Sequence, residues 1–243
     1  MAEERAPRLA VLIDADNASP KIADGLFEEI AKIGEASLRR IYGDFSGSQL
    51  QQWSKLLAKH AILPQQQFAY VTGKNASDIA LVIDAMDLMH SGRFDGFCLV
   101  SSDSDFTRLA ARLREQGMDV YGFGEAKTPE SFRQACRRFI YTENLRPGPT
   151  AAAAPTRPLK KTDEALPLIT EVVEEAEDDD GWASLGTVGT MLANLASDFD
   201  PRTYGARKLS DLVRDMSGFE LDESDPRRIR IRRKRVRRRR RAG

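Results

Sequence analysis

Cys98-Leu99-Val100-Ser101-Ser102-Asp103-Ser104-Asp105-Phe106 is an apolar run that breaks into hydroxyls and carboxylates and then into a helical pattern. Such a run reads as a buried strand that ends at a helix N-terminus. Carboxylates at that junction sit where open α/β sheets place their chemistry. A plain helix cap is the alternative reading, with Asp103 or Ser104 as the capping residue. Ser104 is the expected cap, which leaves Asp103 as the expected ligand at the strand end.

Working outward, the same pattern occurs near the start of the chain. Leu9-Ala10-Val11-Leu12-Ile13 is a strand-length apolar run that stops at Asp14-Ala15-Asp16-Asn17. Continuous hydrophobicity of this kind suits a parallel strand covered on both faces. Ser19-Pro20 opens a helix carrying Ile22, Leu26, Ile30 and Ile33, with Gly34 as its stop. Residues 38–43 read as a strand, 47–61 as a helix and 67–71 as a third strand. Thr72 to Ser77 has turn composition, and 78–89 is an apolar helix. The strand at 97–101 feeds a helix over 104–116, ended by Gly117, and 120–123 is a further strand. Thr128-Pro129-Glu130 then announces another helix by cap, N1 proline and early acid. This alternation predicts an α/β fold, a parallel sheet with helices on both faces, through about residue 143.

Charge divides the chain sharply. Residues 227–241 hold 12 Lys or Arg and no acid, leaving 25 bases against 37 acids in residues 1–226. Such asymmetry suggests an arm that meets nucleic acid, with a solubilising tail or one folded onto its own acidic surface as alternatives. The two cysteines, Cys98 and Cys136, give neither a disulfide framework nor zinc spacing. His60 and His90 read as helix-surface residues. No charged-then-apolar leader and no apolar run of about 18 residues is present, so the expectation is a cytoplasmic protein without a membrane span. Residues 146–162 are rich in Pro and Ala and read as a linker. Beyond it, an acidic amphipathic helix over 164–177, a turn and helix over 181–196, a helix over 203–216 and a hairpin of 219–221 with 229–231 describe a small winged helix-turn-helix.

Asp14 and Asp16 follow the first strand, Asp78 begins a helix, and Asp103 and Asp105 follow the fourth strand. In an open parallel sheet these positions share one edge. Carboxylates gathered there repel one another unless a divalent cation lies between them. Hard oxygen donors without His or Cys favour Mg²⁺ or Mn²⁺ over zinc. Such an ion lowers the pKa of a bound water and clamps phosphate oxygens, the chemistry of phosphodiester hydrolysis. Asn17 suits orientation of a carboxylate or phosphate, or simply its own turn. Lys74 suits a substrate phosphate, or a solvated loop. Asp84 lies about 120° around its helix from Asp78 and reads as an outer group, with Asp87 on a solvated face.

These residues carry a resemblance. Leu12-Ile13-Asp14-Ala15-Asp16-Asn17, then Lys74-Asn75-Ala76-Ser77-Asp78 running into Ile79 to Asp84, then Val100 to Phe106, resemble the signature of NYN domains, PIN-like nuclease domains, and of the LabA-like branch in particular. The resemblance covers about residues 7–145. It implies a Mg²⁺- or Mn²⁺-dependent ribonuclease with Asp14, Asp78 and Asp103 as metal ligands and Asp105 as a fourth. Ser102 stands where many relatives have glycine. Gly181 to Gly186 and Tyr204 to Leu212 resemble the OST-HTH, or LOTUS, module, which implies RNA binding or docking of a protein partner. Tyr204, Leu209 and Leu212 read as core, while Arg207 and Lys208 suit phosphate contact or a solvated face. The basic run, with Arg227, Arg228, Arg230, Arg232, Arg233, Lys234 and Arg235, has no aromatic platform and suits sequence-independent phosphate binding.

The expected organisation is therefore a PIN-like domain over 1–145, the linker 146–162, the winged-helix module over 163–233 and a basic tail over 234–243. The expected function is metal-dependent RNA hydrolysis, with RNA as partner, no membrane and the oligomeric state open. A non-catalytic RNA-binding or regulatory adaptor is one alternative. A small-molecule phosphohydrolase with Asp14 as nucleophile and Asp16 as acid is another.

Overall fold

The computed structural model describes residues 5–48, 50–67, 76–145, 159–225 and 228–234. The chain divides between residues 149 and 150 into two compact units. The first unit alternates β1 (Arg8–Asp14), α1 (Ala23–Ala31), β2 (Glu35–Gly43), α2 (Gln51–Leu57), β3 (Leu63–Gln66), α3 (Ala76–His90), β4 (Gly96–Val100), α4 (Thr107–Glu115), β5 (Asp119–Gly124), α5 (Glu130–Ala135) and β6 (Arg138–Tyr141). The six strands form one parallel sheet in the order β3-β2-β1-β4-β5-β6. The order reverses between β1 and β4, so the switch point opens a crevice at their carboxyl ends.

Both central strands are buried on both faces, which explains their unbroken apolar runs. Ala10, Leu12, Phe97 and Leu99 meet Leu81 and Ala85 of α3 and Leu109 and Leu113 of α4 on one face. Leu9, Val11, Ile13, Cys98 and Val100 meet Leu26 and Ile30 of α1 and Trp53 of α2 on the other. The helices thus cover both faces, as the alternation predicts. Cys98 and Cys136 are buried and free, and burial raises both thiols, Cys136 to about 12.

Three local readings change. The third strand lies at Leu63–Gln66, ahead of the expected 67–71; of that range only Gln67 is described. Pro64 obscured it, yet proline is tolerated because β3 is an edge strand of the sheet. The helix expected over 47–61 contracts to Gln51–Leu57, and the chain then turns through Ala61 at φ 50. His60 consequently lies beyond that helix, stacked on Phe27 at 4.9 Å with Nε2 3.0 Å from Asp24. His90 ends α3 at the surface, as expected.

The second unit contains α6 (Leu166–Ala176), β7 (Ala183–Ser184), α7 (Leu185–Leu195), α8 (Leu209–Arg214), β8 (Phe219–Asp222) and β9 (Arg230–Arg233). Its sheet is antiparallel, in the order β7-β9-β8, with Leu221 opposite Ile231. Ile169, Val172, Val188, Leu192, Leu212 and Ile231 form its core, with Tyr204 buried and Leu209 packed against it. This is the small winged-helix architecture that the sequence suggests. The helix expected over 203–216 is broken instead. Asp200 accepts from Arg202 N at 2.9 Å to start a 3-10 turn, Gly205 at φ 85 ends it, and α8 follows. Glycine meets the left-handed conformation without strain. Among the described residues no helix is long and apolar enough to cross a membrane.

Gly25 is where α1 closes on the 3-10 turn Thr142–Leu145 that follows β6. A Cβ there would stand 2.0 Å from the Leu145 carbonyl oxygen. Gly25→Ala is expected to lower unfolding stability by about 1–3 kcal/mol through overpacking. Urea denaturation of the variant beside wild type checks this; unchanged stability would mean that the contact yields without cost.

Candidate active site

β1 ends in Asp14, which is 1 % exposed. A carboxylate so enclosed needs hydrogen bonds to offset lost hydration, and the local sequence supplies them. Oδ1 accepts from the backbone N of Asp16 at 3.1 Å and of Asn17 at 3.3 Å. Oδ2 accepts from Asn17 Nδ2 at 2.8 Å and from Ser101 Oγ at 2.7 Å. Asn17 therefore holds Asp14 through both backbone and side chain.

Ser101 comes from the neighbouring strand end and does two things. Its hydroxyl donates to Asp14 and accepts from the Asp103 backbone N at 3.0 Å. One buried hydroxyl thus joins the acids that follow β1 and β4. No role was expected of Ser101, although its place at the break of the apolar run was the available signal. Asp103, rather than Ser104, caps the following turn, its Oδ1 accepting from Asp105 N at 2.9 Å. The reason is geometric: the turn Ser104–Phe106 is a 3-10 helix that precedes α4, which moves the cap one residue back. Ser102 Oγ accepts from Glu125 N at 2.8 Å and so ties the ends of β4 and β5 together.

Asp78 stands in the first turn of α3. Burial, then the charges of Asp14, Asp103, Asp16 and Asp105, push its carboxyl up to about 6. Asp16 is raised as well, by desolvation in the crevice and by Asp14, with Asp44 adding and a hydrogen bond from Ser77 opposing. Asp44 follows β2 at the same edge, where the sequence reading placed no acid; its position just past a strand end was the signal.

The acids share one field without forming a cage. Among the described residues no three His, Cys, Asp or Glu side chains stand where they would jointly hold an ion. Asp14 shows why, since both of its oxygens face donors inside the protein. The donor set nevertheless fits a hard divalent cation: carboxylate oxygens alone, converging closely enough to raise the proton affinity of Asp78 and Asp16.

Other expected residues fall elsewhere. At Asp84, Arg40 and Tyr42 of β2 both donate to the carboxylate. That pairing secures α3 to β2, and burial with the Asp84 bond raises the Tyr42 phenol. Asp87 is exposed, as expected. Lys74, Arg227 and Arg235 lie outside the described residues. In the second unit, Arg230 pairs with Asp222 at 2.6 Å, Arg232 with Glu220 at 2.5 Å, and Arg233 with Glu174. Each of these guanidiniums thus meets a carboxylate of its own module. Trp182 also lies beneath Arg232 at 4.4 Å and Arg230 at 5.3 Å. The basic run therefore does have an aromatic partner, hidden in sequence because Trp182 precedes β7 and meets β9 only across the sheet. Arg207, Lys208, Arg228 and Lys234 are exposed.

A parallel sheet with an acidic crevice at its switch point and a small winged-helix module define the class. The chain belongs to the NYN family: the NYN domain model matches residues 8–143, and the OST-HTH/LOTUS domain model matches residues 158–231. No curated protein matches. Among solved structures, a protein of unknown function from Vibrio parahaemolyticus is 17% identical, covering 58% of this chain and 96% of its own, with a TM-score of 0.48. An uncharacterized protein from Nitrosomonas europaea is 34% identical over 36% of this chain and 86% of its own, with a TM-score of 0.29.

Ser101→Ala removes the donor to Asp14 and the acceptor for the Asp103 N–H together. It is expected to lower unfolding stability by about 1–3 kcal/mol. Ser104→Ala, at an exposed position, is expected to stay within about 0.5 kcal/mol. Chemical denaturation of both variants checks the contrast, and equal effects would contradict the role given to Ser101.

Proposed function

We propose that this protein is a metal-dependent ribonuclease whose OST-HTH module and basic run hold RNA while the crevice of the NYN domain cleaves it. The observation that carries the reading is the Asp14–Ser101–Asp103 link, which joins acids from two adjacent strand ends at the switch point. Asp14, Asp78 and Asp103 would hold Mg²⁺ or Mn²⁺, with Asp105 beside them. The ion would supply a water of lowered pKa and a clamp on the phosphate oxygens.

The chain's own residues prepare that chemistry. Asn17 and Ser101 hold the Asp14 carboxylate at the end of β1, and an ion bound there would take the place of one of these donors. The Asp103 cap fixes the height of its own carboxyl above β4. Arg207, Lys208, Arg228 and Lys234 are exposed basic groups of the second module and would meet phosphates without reading sequence. A protein partner for the same module is compatible with this role.

Incubation with single-stranded RNA and Mn²⁺ is expected to give cleavage that EDTA abolishes. Asn is as good a cap as Asp, so Asp103→Asn tests charge more than fold. It is expected to reduce cleavage by about a hundredfold or more with RNA binding in EDTA unchanged. Wild-type protein inert toward RNA with both metals would refute the reading, and parallel loss of binding would show Asp103 to be structural.

A further inference from the structure

Lys21 and Arg108 stand apart from the other cations of the first unit. Most of those are engaged: Arg8 with Asp95, Lys32 and Arg138 with Glu29, Arg40 with Asp84, Lys59 with Asp24 and Arg137 with Asp119. Lys21 and Arg108 are exposed, and among the described residues neither side chain makes a hydrogen bond or an ion pair. Lys55 and Arg114 share that state, but they lie in the last turns of α2 and α4. In a parallel α/β unit the helices run back against the strands, so those turns lie at the amino edge of the sheet.

Lys21 and Arg108 occupy the opposite edge. Lys21 lies in the turn Pro20–Ile22 that leads from β1 into α1, and Arg108 is the second residue of α4. Their strands are the two that flank the switch point, and their helices lie on opposite faces of the sheet: Ile22 and Leu26 pack on one core cluster, Leu109 and Leu113 on the other. The crevice between them is acidic and repels a phosphodiester, so a strand that enters it needs cations at its rim. A lysine offers a point charge and an arginine a bidentate donor pair for that purpose.

We propose that Lys21 and Arg108 hold the phosphates on either side of the one in the crevice, so that a single RNA strand crosses the carboxyl edge of the sheet from the α1 layer to the α4 layer. The assignment rests on the ribonuclease reading of the same crevice and names its substrate path. It concerns positioning only, since backbone phosphate contacts set the register of a strand without reading its bases.

The test is fluorescence anisotropy of full-length protein with a labelled, unstructured oligouridylate in EDTA, over a salt series. Lys21→Ala and Arg108→Ala are each expected to make the log–log salt slope shallower by about 0.7, the value for one single-strand phosphate contact, or about a fivefold weaker affinity at 0.1 M salt. Arg108→Lys is expected to keep the slope. Lys55→Ala and Arg114→Ala remove the same charge at the other edge and are expected to leave it unchanged. Equal effects from all four alanine variants would reduce the finding to net charge and overturn the proposal, as would no effect from Lys21→Ala and Arg108→Ala, or no binding by wild type. Cleavage plays no part in EDTA, so a protein that shows the expected slopes yet cuts nothing would refute the nuclease reading and leave this path standing.

Discussion

The structure depends on one buried carboxylate. Asp14 ends the central strand of a sheet covered on both faces, where an unpaired ion would cost several kcal/mol. The chain answers with four donors, two from its own turn backbone, one from Asn17 and one from Ser101 across the neighbouring strand. That last bond requires β1 and β4 to lie side by side in register, Ile13 opposite Val100. The same pairing creates the topological switch. The fold and the crevice therefore share one constraint.

From that point the charges separate by layer. Acids that follow β1, β2 and β4, with Asp78 at the start of α3, face the carboxyl edge, while Asp84, six residues further along α3, is neutralised by Arg40 and held by Tyr42. Two carboxylates on one helix thus take different work. Asp78 stays in the acidic field, and Asp84 anchors the helix that presents it. In the second module the arginines of β9 likewise meet carboxylates, those of α6 and β8.

The sheet was legible in the sequence because burial on both faces leaves a mark that one strand carries alone, as Leu9 to Ile13 and Cys98 to Val100 show. So was the NYN and OST-HTH order, through short motifs of fixed spacing. The edge strand at Leu63–Gln66 was not, since Pro64 speaks against a strand unless its edge position is known. Ser101 was hidden because its importance lies in a partner 87 residues away. Arg232 and Trp182 were hidden in the same way, as a contact across a sheet has no local signature. Asp103 was read as a ligand and Ser104 as the cap; which residue caps depends on whether the turn is 3-10 or α, and composition does not distinguish them.

The central claim is that acids from three separate elements serve one metal. Crystals soaked in Mn²⁺ test it directly through the anomalous signal of the ion. The account predicts a peak in the crevice, ligated by Asp14, Asp78 and Asp103. Mn²⁺ found only at other carboxylates, with Asp14 still turned to Ser101 and Asn17 and no ion beside it, would contradict the account.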